Sequence, residues 1–193
     1  MLTVEEILQK EPRDITADYA TEDNEAYLIF TSGTTGRPKG VRINYANLYY
    51  FLLTCMREDN FHFHRDSVVL HYTSINFDVS VLELYNALFN GATLVVVNED
   101  ERKDVKKVYQ IINNWKVTFM FLPPTMFNLF TEFNFVAIET ACTGGEAMPR
   151  SLAERIGERP YRLINGYGPA ECTPISSMRD FSTPDLYRNI GWA

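Results

Sequence analysis

Thr31-Ser32-Gly33-Thr34-Thr35-Gly36-Arg37-Pro38-Lys39-Gly40 gathers hydroxyls, glycines and a lysine into one short stretch. Glycines let successive backbone N–H groups turn toward a single anion, hydroxyls add short donors, and Lys39 supplies a full charge near the end. Binding a polyphosphate needs that combination. The spacing is not that of a Walker A loop, G-x-x-x-x-G-K-[ST]. Counting from Gly33 the sixth residue is Pro38, and from Gly36 it is Val41. The plainer alternative is a Gly/Ser/Thr turn carrying a solvated lysine.

Three later segments also carry side chains that could meet a ligand. In FDVSVLE, Asp78 stands just ahead of a helical pattern, where it is either an N-cap or a carboxylate facing a bound molecule. TGGEAMP sets Gly144 and Gly145 before Glu146, so the backbone there can approach a flat group closely. In NGYGPAE, Tyr167 sits among Gly166, Gly168 and Pro169, a sequence suited to a fixed, irregular backbone rather than to an ordinary half-buried tyrosine. Glu171 follows, where an acid could complement the dipole of a helix start.

These segments alternate with elements that would position them. Ala26–Phe30 (AYLIF) reads as a short buried strand, Tyr45–Cys55 as a helix, Val68–Tyr72 as a strand and Val79–Phe89 as a helix ended by Gly91. ATLVVV (92–97) is the clearest strand, and Val105–Trp115 has apolar residues at helical spacing. TFMFL, FVAIETAC and YRLIN read as further strands, with short helices over PTMFNLF and 151–156 between them. Strands separated by helices imply βαβ units, an α/β fold with a mostly parallel sheet and helices on both faces. Ligands of such sheets bind beyond the carboxyl ends of the strands, where the unusual loops would converge. Residues 1–25 read as a short helix (Val4–Leu8) and linker, 26–180 as the α/β unit, and 181–193 as the start of another element.

Composition narrows the function classes. The chain has 193 residues, 46% hydrophobic and 22% charged, which suits one folded domain without disulfide or metal staples. Lys plus Arg is 18 against 25 for Asp plus Glu, a net charge of -7, so a general nucleic-acid-binding surface is not expected. Cys55, Cys142 and Cys172 show no C-x-x-C spacing, which fits a reducing compartment. No apolar run approaches a membrane span and the first residues lack a signal-peptide core, so a cytoplasmic, membrane-free protein is expected.

YLIFTSGTTGRPKGV resembles the signature of the adenylate-forming (AMP-binding) enzymes, which include acyl-CoA synthetases, beetle luciferases and the adenylation domains of nonribosomal peptide synthetases. FDVSVLE, TGGEAMP and NGYGPAE resemble three further motifs of that family in the same order, and FDVSVLE is closest to the amino-acid-activating members. The resemblance implies the flavodoxin-like βα subdomain of the family fold. It also implies a reaction, carboxylate plus ATP giving an acyl-adenylate and pyrophosphate, with Mg²⁺ and ATP as cofactors. In a complete enzyme the acceptor would be phosphopantetheine on a carrier domain.

Residue by residue, the resemblance assigns Thr31, Ser32, Gly33, Thr34, Thr35, Gly36 and Lys39 to the triphosphate. Gly144, Gly145, Glu146, Asn165, Gly166, Tyr167, Gly168, Pro169 and Ala170 would surround the adenine end of the nucleotide. Thr31 and Glu171 would contact Mg²⁺, and with Lys39 they are the candidate catalytic residues. Asp78 would pair with the substrate's α-ammonium group. Val79, Leu82, Phe121, Cys142, Gly144, Gly166, Pro174 and Ile175 would line the side-chain pocket. None of these is charged, so an apolar or weakly polar amino acid is expected. Cys142 reads as packing, since no histidine is placed to activate it.

Three positions depart from the family pattern: Tyr45 where a histidine is usual, and Ala170 and Cys172 where threonines are usual. Family members are several hundred residues long, and their barrel and C-terminal domain have no counterpart here. The chain is therefore expected to hold much of the site without turning over by itself. Two other readings remain: a non-catalytic binding module, and part of an acyl- or aryl-CoA ligase, against which Asp78 argues.

Overall fold

The computed structural model describes residues 20–32, 36–57, 60–157 and 159–181. The helix expected at Val4–Leu8, the loop residues Gly33, Thr34 and Thr35, and 182–193 lie outside them. Strands β1 (Glu25–Thr31) and β2 (Lys39–Asn44) pair antiparallel, and α1 (Tyr45–Cys55) follows. Then come β3 (Val68–His71), α2 (Val79–Phe89), β4 (Thr93–Val96), the short α3 (Glu99–Arg102), α4 (Val105–Asn114) and β5 (Phe119–Phe121). The chain continues through α5 (Pro124–Leu129), β6 (Thr140–Gly144), α6 (Arg150–Gly157), β7 (Arg162–Tyr167), a 3-10 turn (Ala170–Cys172) and β8 (Ser177–Asp180).

Six strands form the main sheet in the order β4-β3-β5-β6-β7-β8. All neighbours are parallel except β8, which runs antiparallel to β7. The five parallel strands have the flavodoxin-like order, with the reversal of direction between β3 and β5. Side chains alternate between two apolar layers, as parallel strands buried on both faces require. Val69, Phe119, Phe121, Cys142 and Ile164 pack with Leu82 and Ala87 of α2 and Cys55 of α1. Leu70, Met120, Leu122, Ala141 and Leu163 meet Val108 and Ile112 of α4, Phe127 of α5, and Leu152 and Ile156 of α6. Among the described residues, no helix is long and apolar enough to cross a membrane.

Three elements differ from the sequence reading. Ala26–Phe30 belongs to a separate hairpin and not to the main sheet. Only one of its faces is covered: Ala26, Tyr27 and Ile29 pack on Leu48, Leu52 and Val81, while Phe30 is 64% exposed. A continuous apolar run does not say which face will find a partner. The stretch FVAIETAC becomes strand only from Thr140. Before it, Phe135 stacks near Tyr109 and Phe130, and the Val136 N–H donates to the Asn113 side chain at 3.0 Å. The charged run after β4 is the helical turn α3, where Asn98 and Glu101 form a reciprocal capping box.

One buried carboxylate joins α2 to the end of β3. Glu83 is fully buried, and its Oε2 lies 2.8 Å from His71 Nδ1. It also accepts from the Thr73 N–H at 3.0 Å and the Thr73 hydroxyl at 2.8 Å. Burial raises its pKa, while the His71 and Thr73 hydrogen bonds pull the other way. Replacing Glu83 by Ala leaves His71 and Thr73 donors buried without an acceptor. Urea unfolding of Glu83→Ala is expected to show a loss of about 3–5 kcal/mol, with Glu83→Gln falling between it and the parent. A loss too small to resolve would show that the carboxylate does not hold this junction.

Candidate functional site

The loops that leave β3, β5 and β6 at their carboxyl ends enclose a cavity of about 410 Å³. It lies at the reversal point of the sheet, where open α/β sheets bind ligands. Tyr72, Thr73 and Ser74 contribute from the β3 end, Phe121 and Pro123 from β5, and Gly144, Gly145 and Glu146 from β6. Phe77, Asp78 and Val79 form the wall at the start of α2, and Arg102 of α3 closes another side. The Glu83 hydrogen bonds fix Thr73, and through it the start of the loop that carries Asp78.

Asp78 takes the N-cap position of α2 with helical backbone angles, and its side chain makes no capping hydrogen bond. Burial raises its pKa, the Glu171 charge adds to the rise, and backbone N–H groups offset part of it. A half-buried carboxylate with no capping task, on the wall of a cavity, is placed to meet a cation.

The floor under the cavity depends on two glycines. A Cβ on Gly144 would stand 2.3 Å from the Gly166 carbonyl oxygen, so no side chain fits there. Gly145 has φ +79, the left-handed region that glycine enters without strain. Beside this floor, Thr143 and Asn165 are register partners on β6 and β7. Thr143 Oγ1 and Asn165 Oδ1 are both buried without a hydrogen-bond partner. Such groups are costly unless something supplies a donor, as the amino group of a purine would. Tyr167, at the end of β7, is 58% exposed.

The glycine-rich segment closes the β1–β2 hairpin, with Thr31 and Lys39 as register partners at its mouth. Sequence reasoning placed Lys39 and Gly40 in the loop, yet both belong to β2. Lys39 makes no ion pair among the described residues. Ser32 and Gly36 flank the stretch 33–35. The 3-10 turn that carries Ala170 and Glu171 packs against β2, and the Glu171 charge is felt at Asp78. A turn of three residues has too little dipole to account for an acid on that ground.

The eight positions read as a side-chain pocket fall into three groups. Val79, Phe121 and Gly144 line the cavity. Leu82 and Cys142 are fully buried in the core layer beneath it, and burial raises the Cys142 pKa, which makes its thiol inert. Ile175 packs over Gly166 and borders a separate groove with Tyr50, Phe51 and Thr54 of α1. The Pro174 carbonyl lies against Gly168. The eight positions carry no charge, but the cavity wall also holds Asp78, Arg102 and Glu146. Arg102 was missed because α3 reads as a solvated charge run. Its signal was the Asn98-x-x-Glu101 capping box directly after β4.

A family model described as AMP-binding enzyme matches residues 2–193. The chain is 36% identical over 177 residues to a linear gramicidin synthase of Brevibacillus parabrevis, a match covering 90% of this chain and 3% of that protein. It is 33% identical over 187 residues to a plipastatin synthase of Bacillus subtilis, covering 92% and 7%. The Vibrio cholerae adenylation domain AlmE, solved with glycyl-adenosine-5'-phosphate, superposes with a TM-score of 0.75 at 27% identity, over 83% of this chain and 31% of that one. PA1221, a nonribosomal peptide synthetase protein containing adenylation and PCP domains, superposes with a TM-score of 0.77 at 27% identity, over 90% and 35%. The chain thus spans about a third of these solved chains and under a tenth of the two curated relatives. With that match on a sheet of this order, the chain belongs to the AMP-binding enzyme family.

Proposed function

We propose that this chain forms the nucleotide- and substrate-binding part of an amino-acid-activating adenylation domain. In that reaction a carboxylate oxygen of the amino acid attacks the α-phosphate of ATP. The new O–P bond forms as the bond to the β-phosphate oxygen breaks, giving aminoacyl-AMP and pyrophosphate. The nucleophile is already ionised, so no general base is required, and catalysis is positioning and charge neutralisation. The observation that carries the reading is Asp78, a half-buried carboxylate without a capping bond, on the wall of a cavity at the switch point.

The other residues fit parts of this task. Thr31, Ser32, Gly36 and Lys39, with Gly33, Thr34 and Thr35, are assigned to the phosphates and to the departing pyrophosphate. Gly144, Gly145 and Glu146 would pack on one side of adenine and Tyr167 on the other, with Asn165 accepting a hydrogen bond from its amino group. Gly166, Gly168, Pro169 and Ala170 would shape the backbone around it. Mg²⁺ would be held by Thr31 and Glu171 together with the phosphates. The repulsion that Asp78 feels from Glu171 is the kind of charge a cation relieves. When bound, Mg²⁺ supplies neutralisation of phosphate charge. The acceptor of the activated amino acid in the complete enzyme would be the phosphopantetheine thiol of a carrier domain, in the cytoplasm.

Calorimetric titration of the chain in the presence of AMP tests the ammonium pairing. Amino acids should bind at least about tenfold more tightly than the same acids lacking the amino group, and Asp78→Ala should erase the difference. Equal binding of amino acid and deaminated acid, or a preference that survives Asp78→Ala, would refute the role.

The raised pKa of Asp78 has a consequence for stability. The folded state holds this proton more firmly than the unfolded chain, so stability falls as pH rises from the ordinary carboxylate range through the raised folded value. Asp78→Asn removes the buried charge. Because solvent screens this half-exposed charge, the gain at neutral pH is expected to be small, at most about 0.5 kcal/mol, and to disappear near pH 3. Thermal melts at both pH values measure this; a destabilised variant at neutral pH would contradict it.

A further inference from the structure

Arg102 is a cation with no counter-charge among the described residues. Its guanidinium lies over the Tyr72 ring, 5.6 Å from the centroid, and the Tyr72 hydroxyl donates to the Arg102 carbonyl at 3.4 Å. The capping box of α3 holds the backbone that carries it. Among the described residues, its guanidinium makes no ion pair and no hydrogen bond, and its Nε is buried without a partner. Stacking on an aromatic face fixes the plane of a guanidinium and leaves its edge N–H groups for a ligand.

The other charges on the cavity wall are Asp78 and Glu146. Glu146 accepts a hydrogen bond from the Thr125 hydroxyl at 3.3 Å. Neither carboxylate lies within ion-pair distance of Arg102. One small cavity therefore presents the Asp78 carboxylate, a Glu146 carboxylate bonded to Thr125 and, apart from both, an unspent guanidinium. An apolar side chain seated there would strip water from Arg102 and return nothing, and a neutral amide would return only an uncharged hydrogen bond. A carboxylate would form a charge-assisted, bidentate pair with it.

We propose that Arg102 is the anion-recognising residue of this cavity, and that the amino acid bound there carries a side-chain carboxylate. The inference rests on the adenylation reading, in which Asp78 takes the α-ammonium group and the α-carboxylate faces the nucleotide. Arg102 is then left for the far end of the substrate. This differs from the apolar side chain expected from the motif positions, none of which lies on α3.

Chemical-shift perturbation of the labelled 193-residue chain by glutamate, aspartate, glutamine and inorganic phosphate tests it. Glutamate or aspartate should bind at least about tenfold more tightly than glutamine, with the largest shifts at residues 72–79 and 102. Arg102→Gln should abolish the preference. Arg102→Lys, which keeps the charge and loses the fork, should retain part of it. Equal binding of glutamate and glutamine to the parent chain, or a preference that survives Arg102→Gln, overturns the proposal. Phosphate binding more tightly than either acid, and depending on Arg102, overturns it in favour of a phosphoryl ligand. Circular dichroism of each variant separates lost binding from lost fold. A preference that depends on Arg102 but not on Asp78 would refute the adenylation reading and leave the anion site standing. Dependence on Asp78 alone would refute only the anion site.

Discussion

Burying a carboxylate is expensive, and the fold tolerates it at Glu83 only because three donors converge there. Two of the three come from Thr73, the second residue beyond the end of β3. The bond pattern fixes where the chain leaves the sheet and where α2 begins, which sets the position of Phe77, Asp78 and Val79. The cavity wall is therefore built from the inside, by a group that never meets a ligand. Glu83 closes the FDVSVLE segment that Asp78 opens near its start, so one short motif holds both the presented carboxylate and the one that holds its loop in place.

The parts of the fold that were legible in the sequence have their signal in local periodicity. The bounds of α1 and α2 follow from apolar spacing and from asparagine and glycine at the ends. The alternation of Val69 with Leu70, and of Phe119 with Met120, belongs to strands covered on both sides. The hairpin was less legible. Ala26 to Phe30 is as apolar as any core strand, and only the antiparallel partner Lys39–Asn44, whose first two residues sit inside an apparent loop, shows that one face stays open. Phe135 to Ile138 looks like a strand, yet aromatic packing with Tyr109 and Phe130 draws it out of the ladder.

The candidate site divides in a similar way. Glycine spacing marks Gly144 and Gly145 because the backbone there must do what no other residue allows. Tyr167 follows from the same kind of local irregularity, whereas Glu171 is marked only by the family resemblance. Arg102 could not be reached by that route, since it arrives from a charged turn whose position depends on β4 lying beside β3. The pairing of Thr143 with Asn165, and the two orphaned oxygens it brings together, likewise exist only once β6 and β7 are in register.

The sheet has a seam. Between β3 and β5 the ladder consists of the single register pair Val69 and Phe119, separated by about fifty positions of chain, with the Thr118 hydroxyl bonded to the Val68 N–H beside it. Closing so long a loop costs more entropy than closing the hairpin-like β7–β8 return. The cavity sits at the end of that joint, with walls drawn from both sides. A ligand seated there ties the β3–β4 half of the sheet to the β5–β8 half, acting as a non-covalent crosslink across its shortest ladder.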